Sequence, residues 1–151
     1  MKLLKKGDKL PEFEVMDDQG NLVKSTDYKG RKLVVFFYPR ANTPGCTEEA
    51  CNLRDNYKAL QAQGYALLGV SEDSMRKQAN FRKKYALPFP LLADTEHKVI
   101  DGFGVWGPKK FMGREFDGIH RTTFVIDENG IVERVIDKVV TKDHAAQLLG
   151  D

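Results

Sequence analysis

The chain has 151 residues, 41% of them hydrophobic and 30% charged. That balance belongs to a soluble globular protein long enough to bury a sizeable core as one domain, residues 1–151, and no apolar run approaches the ~20 residues that span a bilayer. The 24 basic residues stand against 22 acidic ones for a net charge of +2, with the lysines spread along the chain, which gives no case for nucleic acid or an anionic membrane as partner.

Taken in chain order, residues 1–11 read as an arm closed by Leu10 and Pro11. Phe13, Val15, Leu22 and Val23 predict a short hairpin around the turn signal Asp17-Asp18-Gln19-Gly20-Asn21. Residues 25–30 read as a turn or a short helical piece. The run Leu33-Val34-Val35-Phe36-Phe37 predicts a strand covered on both faces, and therefore central. After Thr43, apolar positions at Cys46, Ala50, Leu53, Tyr57 and Leu60 draw one face of a helix that Gly64 ends. Residues 65–70 predict a second central strand. Residues 71–86 predict a helix with Ser74 as N-cap, with Met75, Ala79, Phe81 and Tyr85 on its buried side, stopped by Pro88 and Pro90. A short strand over 90–93 and a short helix over 95–103 follow.

Residues 104–118 carry four glycines, one proline and four large apolar side chains, and read as irregular. Trp106, Phe111, Met112 and Phe116 are assigned to a satellite core beneath this long loop; the alternatives are that they line the approach to the site, or form a surface for a protein partner or another subunit. Residues 121–127 and 131–140 predict a hairpin through Asp127-Glu128-Asn129-Gly130, and residues 141–149 a helix with Thr141 as N-cap. Strands alternating with helices and ending in an antiparallel hairpin predict an α/β fold, a mixed sheet with helices on both faces.

The chemistry concentrates where the first central strand meets its helix. Thr43-Pro44-Gly45-Cys46 is a helix start, with Thr as cap and Pro at the first helical position. Cys46 then stands at the third position, beside free backbone N–H groups and the positive end of the helix dipole. An ordinary thiol is only a few per cent thiolate at neutral pH, and making it mostly thiolate takes on the order of 3 kcal/mol. A helix end supplies up to ~2 kcal/mol, so a fixed cation is wanted as well. Arg40, in the same loop, and Arg121, at the start of a central strand, are the candidates; the ordinary reading of Arg121 is a structural ion pair at a strand end.

Cys51 lies five residues beyond Cys46, about 140° around a helix and about 7.5 Å along it, which puts the two Cα atoms about 8.6 Å apart. Disulfides need less than about 7 Å. On an intact helix the pair cannot bond, and oxidation requires about one turn to unwind. The two thiols, in a chain whose basic N-terminus lacks an apolar h-region, fit a reducing, cytoplasmic compartment and a redox role. His97, His120 and His144 are scattered, the cysteine spacing is poor for zinc, and neither a metal nor a cofactor is expected.

Pro39-Arg40-Ala41-Asn42-Thr43-Pro44-Gly45-Cys46 resembles the Pro-x-x-x-Thr-x-x-Cys signature of peroxiredoxins, and the second cysteine five residues on resembles their bacterioferritin-comigratory, PrxQ-type branch. The likeness continues through Leu53-Arg54-Asp55-Asn56, Gly104-Val105-Trp106-Gly107 and the stretch from Gly118 to Asp127. The resemblance implies a thioredoxin-like fold and a thiol peroxidase acting on hydrogen peroxide and organic hydroperoxides. It implies Cys46 as the peroxidatic thiol, Cys51 as the resolving one, Thr43 and Arg121 as the groups that hold the peroxide, and Pro39 as the shield of the pocket. It also implies that Glu49 orients Arg121, although a first-turn glutamate favoured by the helix dipole reads equally well. Thioredoxin is the implied reductant. No third cysteine and no long C-terminal arm follow, which leans toward a monomer. A general disulfide oxidoreductase and a non-catalytic redox sensor are the competing readings.

Overall fold

The computed structural model describes residues 1–150. β1 (Glu14–Met16) and β2 (Leu22–Lys24) make the N-terminal hairpin, and a 3-10 turn, Ser25–Tyr28, leads to β3 (Lys32–Phe37). Then come α1 (Pro44–Asp55), α2 (Tyr57–Ala62), β4 (Tyr65–Ser71), α3 (Met75–Tyr85), β5 (Leu91–Ala93) and α4 (Lys98–Phe103). β6 (Trp106–Phe111), β7 (Arg114–Ile119), β8 (Thr122–Ile126) and β9 (Val132–Ile136) follow, and a 3-10 turn, Thr141–Asp143, runs into α5 (His144–Leu149).

Five strands form one mixed sheet in the order β5-β4-β3-β8-β9, with β3–β4 and β4–β5 parallel and β3–β8 and β8–β9 antiparallel. β3 lies at its centre because both of its faces are apolar, so neither can be left to water. Leu33, Val35 and Phe37 join Phe124 and Ile126 in a core covered by α4 and the N-terminal hairpin. Val34, Phe36, Tyr38 and Val125 join a second core covered by α1, α2, α3 and α5. In β4, Gly69 has no side chain because a Cβ there would stand 2.7 Å from Leu91 and 2.8 Å from the Phe36 ring; the strands meet too closely for one.

Several sequence expectations are corrected. The helix after Thr43 breaks at Asn56, whose side-chain amide donates to Asn52 O at 2.9 Å and competes for the helical ladder. On α3, Met75 is exposed and Gln78 is buried instead, because Gln78 accepts from the Tyr38 hydroxyl and donates to Leu92 O. That helix ends on a left-handed Ala86, before either proline is reached. β9 stops at Ile136, since the Thr123–Ile136 pairing leaves β8 only one more residue, and Gln147 takes the backbone of Lys138 and Val140. Thr141 opens a 3-10 turn and does not cap α5; its hydroxyl donates to Glu48.

The largest correction concerns residues 104–118. They are not irregular: β6 and β7 pair antiparallel around Met112-Gly113, both at positive φ (52° and 79°), a two-residue turn of the type that matches strand twist. Phe111, Met112 and Phe116 are exposed on this hairpin, so they form no satellite core. Trp106 alone is half-buried, packed against His97 with the two rings tilted by 54°.

Candidate active site

The loop from β3 to α1 is built by its neighbours. Asp73, buried just after β4, accepts the Ala41 N–H at 2.7 Å. Asn42 takes a left-handed φ of 64°, the residue type that tolerates it best after glycine. Thr43 has the extended backbone of an N-cap and Pro44 is the first helical residue. The Thr43 side chain, however, does not cap the helix: its hydroxyl donates to Arg40 O at 2.7 Å, leaving its lone pairs unused by the N–H of Cys46. Thr47 N–H is the first to bond back, to Thr43 O at 2.9 Å. Pro39 is half-buried in the same loop.

Cys46 is buried, on the first turn of α1. Arg121, which leads into β8 from the opposite side of β3, donates through Nη2 to Cys46 Sγ at 3.3 Å and through Nη1 to Glu49 Oε1 at 2.7 Å. Of the two candidate cations it is therefore Arg121 that meets the sulfur, while Arg40 is exposed. Gly45 makes room for the guanidinium, since a Cβ there would lie 3.2 Å from Nη2. Burial alone would lower the Arg121 pKa, but Glu49 and Cys46 outweigh it and raise it, so the side chain is a permanent cation.

Glu49 is wholly buried, one turn along α1. Burial pushes its carboxyl up to about 7, Arg121 opposing, because the guanidinium compensates only one of the two oxygens. The other, Oε2, has no hydrogen-bond partner. Cys51 is half-buried on the same helix, its thiol raised by burial, with Arg54 opposing. Both cysteines are free thiols on one unbroken helix. Among the described residues no group of three or more His, Cys, Asp or Glu is placed to hold a metal ion, and no helix is long and apolar enough to cross a membrane.

Chemically, an arginine anchored on a carboxylate and donating to a sulfur offers fixed positive charge where a thiolate, or an oxyanion beside it, would form. The model of the AhpC/TSA family matches residues 6–135 of the chain. The peroxiredoxin Bcp of Escherichia coli is 47% identical over 144 residues, which cover 95% of this chain and 92% of that one. The chain belongs to the peroxiredoxins, in their Bcp/PrxQ branch.

Another relative, a putative peroxiredoxin Bcp of Haemophilus influenzae, is 45% identical over 149 residues, 99% of this chain and 96% of its own. Among solved structures, Peroxiredoxin Q of Xanthomonas campestris superposes with a TM-score of 0.86 at 31% identity, covering 91% of this chain and 87% of that one. A cysteine-to-serine variant of PrxQ from Xylella fastidiosa superposes at 0.92 with 27% identity, over 99% and 96%. The fold is the thioredoxin-like one, and the family is one of thiol peroxidases.

In this peroxiredoxin the sequence signals located Cys46, Arg121 and Glu49, which the fold brings into direct contact, and Thr43 and Pro39, which flank them. They missed Asp73, Lys109 and His144. Lys109, on the β6–β7 hairpin, donates to Ile119 O at 2.8 Å; burial and Arg121 lower its pKa, while Cys46 raises it. Asp73 and Lys109 had no pattern to reveal them. His144 was visible only as one scattered histidine.

Proposed function

We propose that this peroxiredoxin is a thioredoxin-dependent peroxidase that reduces hydrogen peroxide and organic hydroperoxides, with Cys46 as peroxidatic and Cys51 as resolving thiol. The observation that carries the reading is Arg121, held by Glu49 and donating to the Cys46 sulfur at the start of a helix that also bears Cys51. The Cys46 thiolate attacks one peroxide oxygen, the O–O bond breaks, and the leaving oxygen takes a proton to become water or an alcohol. Cys46 is left as a sulfenic acid. Thr43, whose hydroxyl proton is given to Arg40 O, accepts from the peroxide, and Arg121 stabilises the charge that develops between the oxygens. Pro39 screens the sulfur from water, and Glu49 orients the guanidinium.

The Cys51 thiol then displaces water from the sulfenic acid, and the Cys46–Cys51 disulfide is reduced by thioredoxin through thiol–disulfide exchange. The intact α1 supports the local unwinding that this step requires, since thiols five positions apart on a helix stand too far apart to bond. Both cysteines lie on one helix of one chain, so the disulfide needs no second subunit; the protein acts as a cytoplasmic monomer, and residues 1–151 work as one catalytic domain without a cofactor.

The test is peroxide-dependent NADPH consumption with thioredoxin and its reductase. Cys46→Ser abolishes it. Cys51→Ser keeps a first turnover but does not cycle. Wild-type consumption by Cys46→Ser would refute the assignment, and insulin reduction without peroxide would favour a general disulfide oxidoreductase.

A further inference from the structure

His144, the first residue of α5, is fully buried and lies against Glu49. Its hydrogen bonds fix its tautomer. Gln147 Oε1 accepts the Val140 N–H at 3.0 Å and Gln147 Nε2 donates to Lys138 O at 3.0 Å, which sets the amide orientation. His144 Nδ1, 2.7 Å from that same Oε1, must therefore carry the hydrogen. In the neutral ring Nε2 then carries none, and it accepts from the Thr123 hydroxyl at 2.7 Å. That bare nitrogen also stands 3.6 Å from Glu49 Oε2, the carboxylate oxygen with no donor. Two acceptors face each other in a dry interior, a juxtaposition that costs free energy while Glu49 is ionised and eases once Oε2 carries a proton.

We propose that His144 is a positioning residue for this site, turning a nitrogen without hydrogen toward Glu49 Oε2 and thereby leaving the Arg121 charge to the Cys46 sulfur. The proposal rests on Cys46 being the reacting thiol. A charged Glu49 shares the guanidinium with the sulfur, two anions competing for one cation; a protonated Glu49 still accepts from Nη1 but leaves the positive charge to the thiolate. The charged groups around this pair are few. Arg121 approaches from the β8 side, Cys46 and Glu48 from α1, and Arg134 from β9, where it is engaged by Gln147 O and Leu148 O. Lys142 and Asp143, ahead of α5, are exposed. Burial lowers the His144 pKa, with Arg121 and Arg134 acting in the same sense and Gln147 opposing, which keeps the ring neutral and Nε2 bare.

Two substitutions act in opposite senses. His144→Gln places an amide N–H where Nε2 stands, so that Glu49 Oε2 gains a donor and the carboxylate is favoured. Thr123→Val removes the hydroxyl that occupies Nε2, so that the lone pair is free to accept from a protonated Oε2. The readout is iodoacetamide alkylation of Cys46 against pH, followed by intact mass in a Cys51→Ser background, which uses no peroxide and so remains informative if the peroxidase assignment fails. His144→Gln should slow alkylation at pH 6 by about threefold and displace the profile upward by about half a unit, with the limiting rate at high pH unchanged. Thr123→Val should displace it downward. In a Glu49→Gln background both displacements should vanish. Displacements that persist without Glu49, that share one sign, or that are absent in both variants would overturn the proposal; should His144→Gln fail to fold, the sign of the Thr123→Val displacement decides alone.

Discussion

Arg121 touches a carboxyl and a sulfur at once, and its planar fork is what allows it: one nitrogen meets Glu49 and the other Cys46. Lysine has the charge but a single ammonium. Arg121→Lys is expected to lower the rate of Cys46 oxidation by hydrogen peroxide by about hundred- to thousandfold, the scale of losing one preorganised donor at a developing anion, as read by stopped-flow kinetics. A rate within a factor of two of wild type would mean that charge alone suffices. The helix-start grammar of Thr43 and Pro44 placed Cys46 from sequence alone, because a helix start is read from adjacent residues, although the Thr43 hydroxyl turns out to bond Arg40 O and not the helix. Choosing between Arg40 and Arg121 was not local: the partner lies 75 residues away and is delivered by the pairing of β8 with β3. Nor could the sequence show that Glu49 is buried and bonded to Arg121, since a first-turn glutamate is ordinarily solvated.

At the scale of elements, α1 is fastened to the C-terminal segment. Asn52 Nδ2 donates to Lys142 O at 3.0 Å and its Oδ1 accepts the Ala145 N–H at 2.8 Å, so a side chain of α1 caps the start of α5, which has no cap of its own. These bonds exist only while this part of α1 is helical. Asn52→Ala should cost about 1–2 kcal/mol, enlarging the unwound population by about five- to thirtyfold. Under the proposed cycle, the Cys46–Cys51 disulfide should then form faster after a peroxide pulse, measured by rapid quench and intact mass. A slower or unchanged rate would show that unwinding begins elsewhere. The β6–β7 hairpin carries a different lesson. Its turn is Met112-Gly113 where Asn-Gly would be usual, so the local signal was absent and the glycines of 104–118 were read as irregular. Met112 holds a φ of 52°. Met112→Asn should therefore stabilise the hairpin by up to ~1 kcal/mol and raise Tm slightly, as seen by calorimetry; a fall in Tm would mean that the exposed methionine packs on the hairpin after all.

For the whole molecule, the sheet divides two cores, and the division was legible because β3 and β4 are apolar on both faces, which only a central strand tolerates. What stayed hidden is that the second core contains a polar seam: Glu49, Arg121, His144 and Thr123 sit among its apolar residues because segments remote in sequence bring their partners. That seam gives the fold a pH-dependent stability. The Glu49 carboxyl, ordinarily at 4.5, is pushed up to about 7 by burial, so the folded protein holds a proton that the unfolded chain releases between those values. The stability this proton contributes is fully present below pH 4.5 and is lost as pH rises through 7. The shift corresponds to about 3 kcal/mol. Glu49→Gln mimics the protonated side chain at every pH, and His144 is common to both proteins, so its own titration largely cancels in a difference. Urea unfolding at intervals from pH 4.5 to 8 should show wild type losing ground to Glu49→Gln by about 3 kcal/mol across that range. A difference that stays flat would mean that Arg121 keeps Glu49 ionised throughout, and the guanidinium would then be shared between carboxylate and sulfur at every pH.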